Sequence, residues 1–186
     1  TNHWMRGGNF GWQAADEGKI GICWTNTMPN LPPWGGTKPL IGNNPLIIAV
    51  PRDSGHIVLD MAMSQYSYGA LAGYAEAGDI LPYPGGWDSD GNLTQDPQAI
   101  LESTRPLPIG FWKGSGLSIM LDLTAALLSG GKSTSDIPPN TGSETGISQV
   151  FIAVSAPDHP GMADKIVESL RASGENVLYP GERTIA

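Results

Sequence analysis

The chain opens TNHWMRGG, which places a histidine and an arginine, His3 and Arg6, directly ahead of a glycine pair. It closes YPGERTIA, where Gly181, Glu182 and Arg183 stand together. An imidazole can give or take a proton near neutral pH, and a guanidinium can hold a carboxylate or phosphate. A lone histidine at a chain end reads more readily as a terminal or structural residue than as an acid. Both ends are nevertheless read here as cuts close to one active site. Several familiar signatures fail. His3, His56 and His159 lie far apart in sequence without cysteine partners, so no metal site is expected. GSGLSI, Gly114 to Ile119, has isoleucine where a dinucleotide fingerprint needs its third glycine, and no strand precedes it. Close helix packing or a turn explains those glycines better. DSDGN, Asp88 to Asn92, puts its glycine at the fourth position of a would-be calcium loop instead of the sixth, so a hairpin-like turn is expected. There is no P-loop and no GxSxG.

The elements that must carry any site follow from periodicity and breakers. NFGWQAADE reads as a short helix stopped by Gly18, and KIGICWTN as a strand. From Thr27 to Pro45 five prolines and three glycines exclude regular structure, and a loop of that length is usually functional. LIIAVP and HIVLDM read as strands joined by the turn RDSG, and SQYSYGALAGYAEAG as a helix. Asp79 to Gly110 reads as a second, proline-punctuated loop. GSGLSIMLDLTAALLSG is the strongest helix, with Leu117, Met120, Leu121, Thr124 and Leu128 expected on one face. After a polar loop over 129–146, ISQVFIAVS reads as a buried strand and HPGMADKIVESLRASG as an amphipathic helix. Interleaved strands and helices without regular βαβ spacing point to an α/β or α+β layered domain, not a doubly wound sheet.

At 186 residues the chain has one domain's length. A net charge of -8 argues against nucleic acid and anionic membrane as partners, so an anionic ligand would need a local cluster of Arg, Lys or main-chain N–H groups. The single cysteine, Cys23, lies in an apolar run, which suggests a buried thiol in a reducing, cytoplasmic compartment. No apolar run reaches the roughly 18–20 residues of a membrane span.

Taken together, NHWMRGG, GWQAADEGKIGICWTN, PPWGG, GNNPLIIAVP, LDMAMS, GNLTQDP, FWKGSGLSIMLDL, GISQVFIAV and YPGER resemble the malate/L-lactate dehydrogenase type-2 family across essentially the whole chain. The resemblance implies an oxidoreductase that uses NAD(P)H, with NADH preferred, to reduce a small 2-oxo or 2,3-dioxo acid. It implies a non-Rossmann α/β fold of the L-sulfolactate dehydrogenase-like type, with a mixed, largely antiparallel sheet flanked by helices. It also implies a homodimer, and an internal fragment: one NAD(P)-binding core domain over 1–186, lacking an N-terminal helical segment with a Ser-His-Gly motif and a C-terminal tail. Malate, lactate, sulfolactate or ureidoglycolate dehydrogenases are the alternatives within the family, and a catalytically incomplete fragment is the alternative outside it.

Carried over by residue, His3 matches the family's acid/base or binding histidine, which would protonate the alkoxide as hydride reaches the carbonyl carbon. His56 and His159 match no functional block. Ile57, Val58, Leu59, Asp60, Met61 and Ala62 match the strand end that holds the cofactor. There Asp60 would accept a ribose or amide hydrogen bond, or simply be a capping Asp at a strand end. Trp112 and Lys113 match a cofactor-contacting pair, with the helix after Gly114 expected to offer free N–H groups to phosphate. Gly181, Glu182 and Arg183 match the C-terminal cofactor block, and Thr27 aligns near the nicotinamide. Arg6 is a candidate for the substrate carboxylate. Asn43 stands where many family members carry a threonine near the substrate, which leaves the identity of the acid open.

Overall fold

GNFGWQAAD forms helix α1, Gly8–Asp16, which is followed by left-handed Gly18. The computed structural model describes residues 2–139, 145–155, 159 and 161–185. The remaining elements are strands β1 (Lys19–Thr25), β2 (Leu46–Val50) and β3 (Ile57–Met61), helix α2 (Tyr68–Ala77), strands β4 (Gly86–Trp87) and β5 (Leu93–Thr94), helices α3 (Pro97–Ser103) and α4 (Trp112–Ser129), strand β6 (Gln149–Ser155), and helices α5 (Met162–Arg171) and α6 (Glu182–Ile185). The chain groups into two compact units, each assembled from three separate segments.

The sheet unit gathers Trp4–Trp24, Leu46–Met61 and Phe151–Ala186. Its strands lie in the order β3-β2-β1-β6. The expected hairpin is present: β2 and β3 are antiparallel, with Ile48 opposite Leu59. β1 also runs antiparallel to β2 and sets Cys23 opposite Ile47. Alternation along β2 buries Ile47 and Ala49 completely and leaves Ile48 outward, and α1 packs against β2 and β3. Trp4, Ala15, Cys23, Ile47, Ala49 and Val58 form the core, with Phe10 and Trp12 against it. Cys23 is the buried thiol expected, and desolvation pushes its pKa up.

β6 is not a buried strand. Phe151, Ile152 and Val154 are 39–49% exposed, because β6 ends the sheet order and its cover is partial: the Phe151 ring meets Phe10 at 4.8 Å and Trp4 at 6.1 Å. An uninterrupted apolar run fits a strand covered on both sides, but composition alone does not say what covers it.

The second unit gathers Thr1–His3, Thr25–Pro45 and Ala62–Val150. Here α2 and α3 pack over fully buried Leu71, Leu81 and Ile100. The Ser67 hydroxyl caps α2 by accepting from Ala70 N, and Gly78 ends it in a left-handed turn. The stretch 79–110 is more ordered than its prolines suggest. Asp96 accepts from Gln98 N and Ala99 N to cap α3, and Pro97 fills the first turn, where no N–H is needed. DSDGN is the turn between β4 and β5. Asp88 Oδ1 accepts from Asn92 N at 2.8 Å, and that bond is the main cause of its lowered pKa.

α4 starts at Trp112, two residues earlier than its glycines suggest, and buries a different face from the one expected. Gly114, Ser115, Ser118, Leu121 and Ala125 point inward, whereas Leu117, Met120 and Leu128 are 40–69% exposed. Small residues let the helix axis come close, so the side chains that pack are not the large ones. A Cβ on Gly114 would lie 2.2 Å from Ile109 O, so this glycine serves packing, whereas a Cβ on Gly116 would meet nothing within 4 Å.

Candidate functional site

The loop from Thr27 to Pro45 is ordered by buried amides. Asn44 is fully buried and uses its whole hydrogen-bonding capacity. Its Oδ1 accepts from Thr27 N at 2.9 Å and from Thr27 Oγ1 at 3.1 Å, while Nδ2 donates to Ser118 O at 2.9 Å and to Ser118 Oγ at 3.1 Å. Ser118 Oγ in turn donates to Gly42 O at 2.6 Å. A Cβ at Gly42 would fall 2.1 Å from Asn44 Oδ1, so only glycine fits beside this amide. The loop is thereby fastened to α4.

Asn43, the next residue, is half-buried and built differently. Asn43 Oδ1 accepts from Asn30 Nδ2 at 3.0 Å and from Thr27 Oγ1 at 3.1 Å. Thr27 and Asn43, both expected at the site, are therefore brought together, although Thr27 is buried and its single hydroxyl proton is shared between two amide oxygens. Asn30, Asn44, Ser118 and Tyr68 are residues of this network that the sequence reading did not name for the site. The Tyr68 hydroxyl donates to Asn30 O at 2.7 Å, and burial pushes its pKa up to about 12. Asn26, fully buried, ties Ser148, Lys132 and Asp122 together in the same unit. The N-N dipeptide in a long loop was the only sequence signal for these brackets.

His3, Trp112 and Lys113 are exposed members of this unit, and Ala62 belongs to it as well. The start of α4 does not offer the free N–H groups expected after Gly114. Lys113 N, Gly114 N and Ser115 N donate to Gly110 O, Ile109 O and Phe111 O of the preceding turn. That turn is tight enough to hold Phe111 at a φ of 61°, a conformation side chains seldom take. The positive charge at this helix start is the Lys113 ammonium; no acidic residue occupies the first turn.

In the sheet unit, Asp60 caps α1. Its Oδ2 accepts from Gly8 N at 2.8 Å, and Oδ1 takes no hydrogen bond among the described residues. Val58 N donates to Pro180 O at 2.9 Å, which draws the C-terminal block onto β3. Gly181, at a φ of 88°, lies so near that a Cβ would sit 3.1 Å from both Val58 N and O. Glu182 is used internally: Oε1 pairs with Arg171 and Oε2 accepts from Tyr179 N at 3.1 Å. Arg52 stacks over the Tyr179 ring at 4.4 Å and braces the same turn. Arg183 and Arg6 are exposed, while Ile57, Leu59 and Met61 are half-buried along β3. His56 has the structural role expected of it. Its Nδ1 accepts from Arg52 N at 3.1 Å, so Nε2 carries the proton facing Asp16 Oδ1 at 3.0 Å.

Taken unit by unit, Lys113 is an exposed cation in the second unit, and in the sheet unit Arg183 is an exposed cation while Asp60 keeps one carboxylate oxygen without a partner among the described residues. No helix among the described residues is long and apolar enough to cross a membrane.

The chain is 53% identical over 154 residues to 2,3-diketo-L-gulonate reductases of Citrobacter koseri and Klebsiella pneumoniae, an alignment that covers 83% of this chain and 46% of each relative. The chain thus spans about half the length of those relatives. Its fold matches delta1-piperideine-2-carboxylate reductase from Pseudomonas syringae pvar. tomato at a TM-score of 0.86 and 32% identity, over 98% of this chain and 57% of that one. It also matches sulfolactate dehydrogenase from Methanocaldococcus jannaschii at 0.81 and 27%, over 97% and 56%. These likenesses bear out the mixed, largely antiparallel α/β fold. The malate/L-lactate dehydrogenase family model matches residues 1–186, and the chain belongs to that family.

Proposed function

We propose that the protein is an oxidoreductase that reduces a small 2-oxo or 2,3-dioxo acid, with 2,3-diketo-L-gulonate as its substrate and NADH as its reductant. The observation that carries this reading is the 53% identity over 154 residues to enzymes named for that reaction. When bound, the nicotinamide supplies hydride to the ketone carbon. The chain's own residues bind, orient and protonate. Lys113 and Arg183 neutralise the cofactor phosphates, Asp60 and the β3 segment from Ile57 to Ala62 hold its ribose side, and Trp112 and Gly181 line it. Glu182 acts by fixing the Gly181 turn through Arg171 and Tyr179 N. His3 donates the proton, and Arg6 and Asn43 take the substrate's oxygens. Thr27 keeps Asn43 in register through its hydroxyl. NADPH is the alternative reductant. A homodimer in a reducing cytoplasm, with Cys23 as a thiol, completes the proposal.

The test measures NADH consumption with 2,3-diketo-L-gulonate, oxaloacetate, pyruvate and sulfopyruvate in parallel. A kcat/KM highest for 2,3-diketo-L-gulonate supports the assignment. A higher value for another acid moves the substrate, and no turnover on any of them sinks the enzymatic reading of this chain. A parallel NADH titration by tryptophan fluorescence, with Trp112 among six tryptophans, reports cofactor binding separately.

A further inference from the structure

Asn30 makes a two-point pairing with Asn43. Its Oδ1 accepts the Asn43 backbone N–H at 2.8 Å, and its Nδ2 donates to Asn43 Oδ1 at 3.0 Å. Asn43 Oδ1 also shares the Thr27 hydroxyl proton with Asn44 Oδ1, so it is turned into the network. Nδ2 of Asn43 is the opposite case. It donates to no group among the described residues, and it is not among the fully buried polar atoms left without a partner, so its donors are left for a group from outside this network. The supporting frame is rigid. Asn30 N donates to Ile41 O at 3.0 Å, Tyr68 Oη donates to Asn30 O, and Met63 N donates to Asn43 O at 2.8 Å. An amide held donor-outward recognises carboxylate or ketone oxygens and rejects donors.

We propose that Asn30 is a positioning residue that fixes the Asn43 amide with Nδ2 outward, so that it donates to an oxygen of the 2-oxo acid. This rests on the 2-oxo acid reading above.

Asn30→Asp and Asn30→Ala separate positioning from mere stability. An aspartate at this position still accepts from Asn43 N, but its second oxygen faces Asn43 Oδ1, and the repulsion is relieved by flipping the Asn43 amide. The flip turns Oδ1 toward the substrate while preserving the loop's hydrogen bonds. Binding of 2,3-diketo-L-gulonate is measured with NAD+ present, which cannot reduce it, and at high salt, where through-space repulsion by the added carboxylate is screened. The expected result is that N30D weakens binding about tenfold and N30A about threefold, although N30D is the more stable of the two. Affinities that follow stability, with N30D nearer to wild type, overturn the proposal. Side-chain amide NMR checks the flip without any turnover. The Asn43 NH2 pair, assigned by its loss in N43A, should exchange freely in the wild type and gain one protected proton in N30D; no change rejects the flip. If N43A itself binds the acid as tightly as wild type, the 2-oxo acid reading of this loop fails, which is a different result from failure of N30D alone.

Discussion

Thr27 and Asn44, seventeen positions apart, are joined twice, because one amide oxygen accepts both the backbone N–H and the hydroxyl of the threonine. The other end of that amide holds Ser118 on α4. A loop with almost no repeating structure is therefore pinned at its two ends and to a helix by one side chain. Asn44→Ala would strand Thr27 N in the interior and remove the side-chain bonds that tie the loop to Ser118, at a cost of about 2–4 kcal/mol. Denaturant unfolding measures it, and a loss below half a kilocalorie would show that the loop has other moorings.

Tyr68 supplies a pH signature. Its folded pKa, about 12, lies above the ordinary value of 10.0 because burial disfavours the phenolate. A raised folded value means that the stabilisation is complete below pH 10 and is lost as pH rises toward 12, amounting to roughly 2 kcal/mol. Phenolate absorbance should show one of the five tyrosines titrating late. Tyr68→Phe should abolish that late step.

Asp60 holds the start of α1 with one oxygen. Asp60→Ala should cost about 1 kcal/mol, and Asp60→Asn should recover most of it, since an amide oxygen can still accept from Gly8 N. If NADH affinity falls in both variants by the same factor, the carboxylate charge has no part in cofactor binding.

Lys113 makes a cleaner probe of cofactor binding because it is exposed at a helix start and its substitution leaves the core intact. Lys113→Ala should weaken NADH binding about tenfold or more while changing stability by less than about 0.5 kcal/mol. Equal NADH affinity in mutant and wild type would remove the lysine from the site.

How far the sequence anticipates the structure depends on what each signal measures. Strands β1, β2 and β3 and helices α1 and α2 are legible because breakers and caps are local: Gly18, Ser67 and Gly78 act within a turn of where they stand. α3 carried an equally local signal in Asp96-Pro97, hidden by the prolines around it. α4 misleads for a deeper reason. Leucine periodicity marks an apolar stripe, but Gly114, Ser115 and Ser118 bury more closely because they are small. The exposed β6 fails likewise, since hydrophobicity records a preference for cover and not its presence. Thr27 and Asn43 could be named from resemblance, yet Asn30 and Asn44 act only through contacts made in the folded loop.

The interleaving of the two units bears on how the chain acquires its fold. β6 takes its place beside β1, although the whole stretch Ala62–Val150, belonging to the other unit, is synthesised in between. The three-stranded part of the sheet leaves the ribosome early and must wait, its β1 edge unpaired, for a strand that arrives late. Long-range closures of this kind slow folding and keep an open edge available to other chains. The interval between β1 and β6 is therefore where synthesis speed and chaperone access bear on folding.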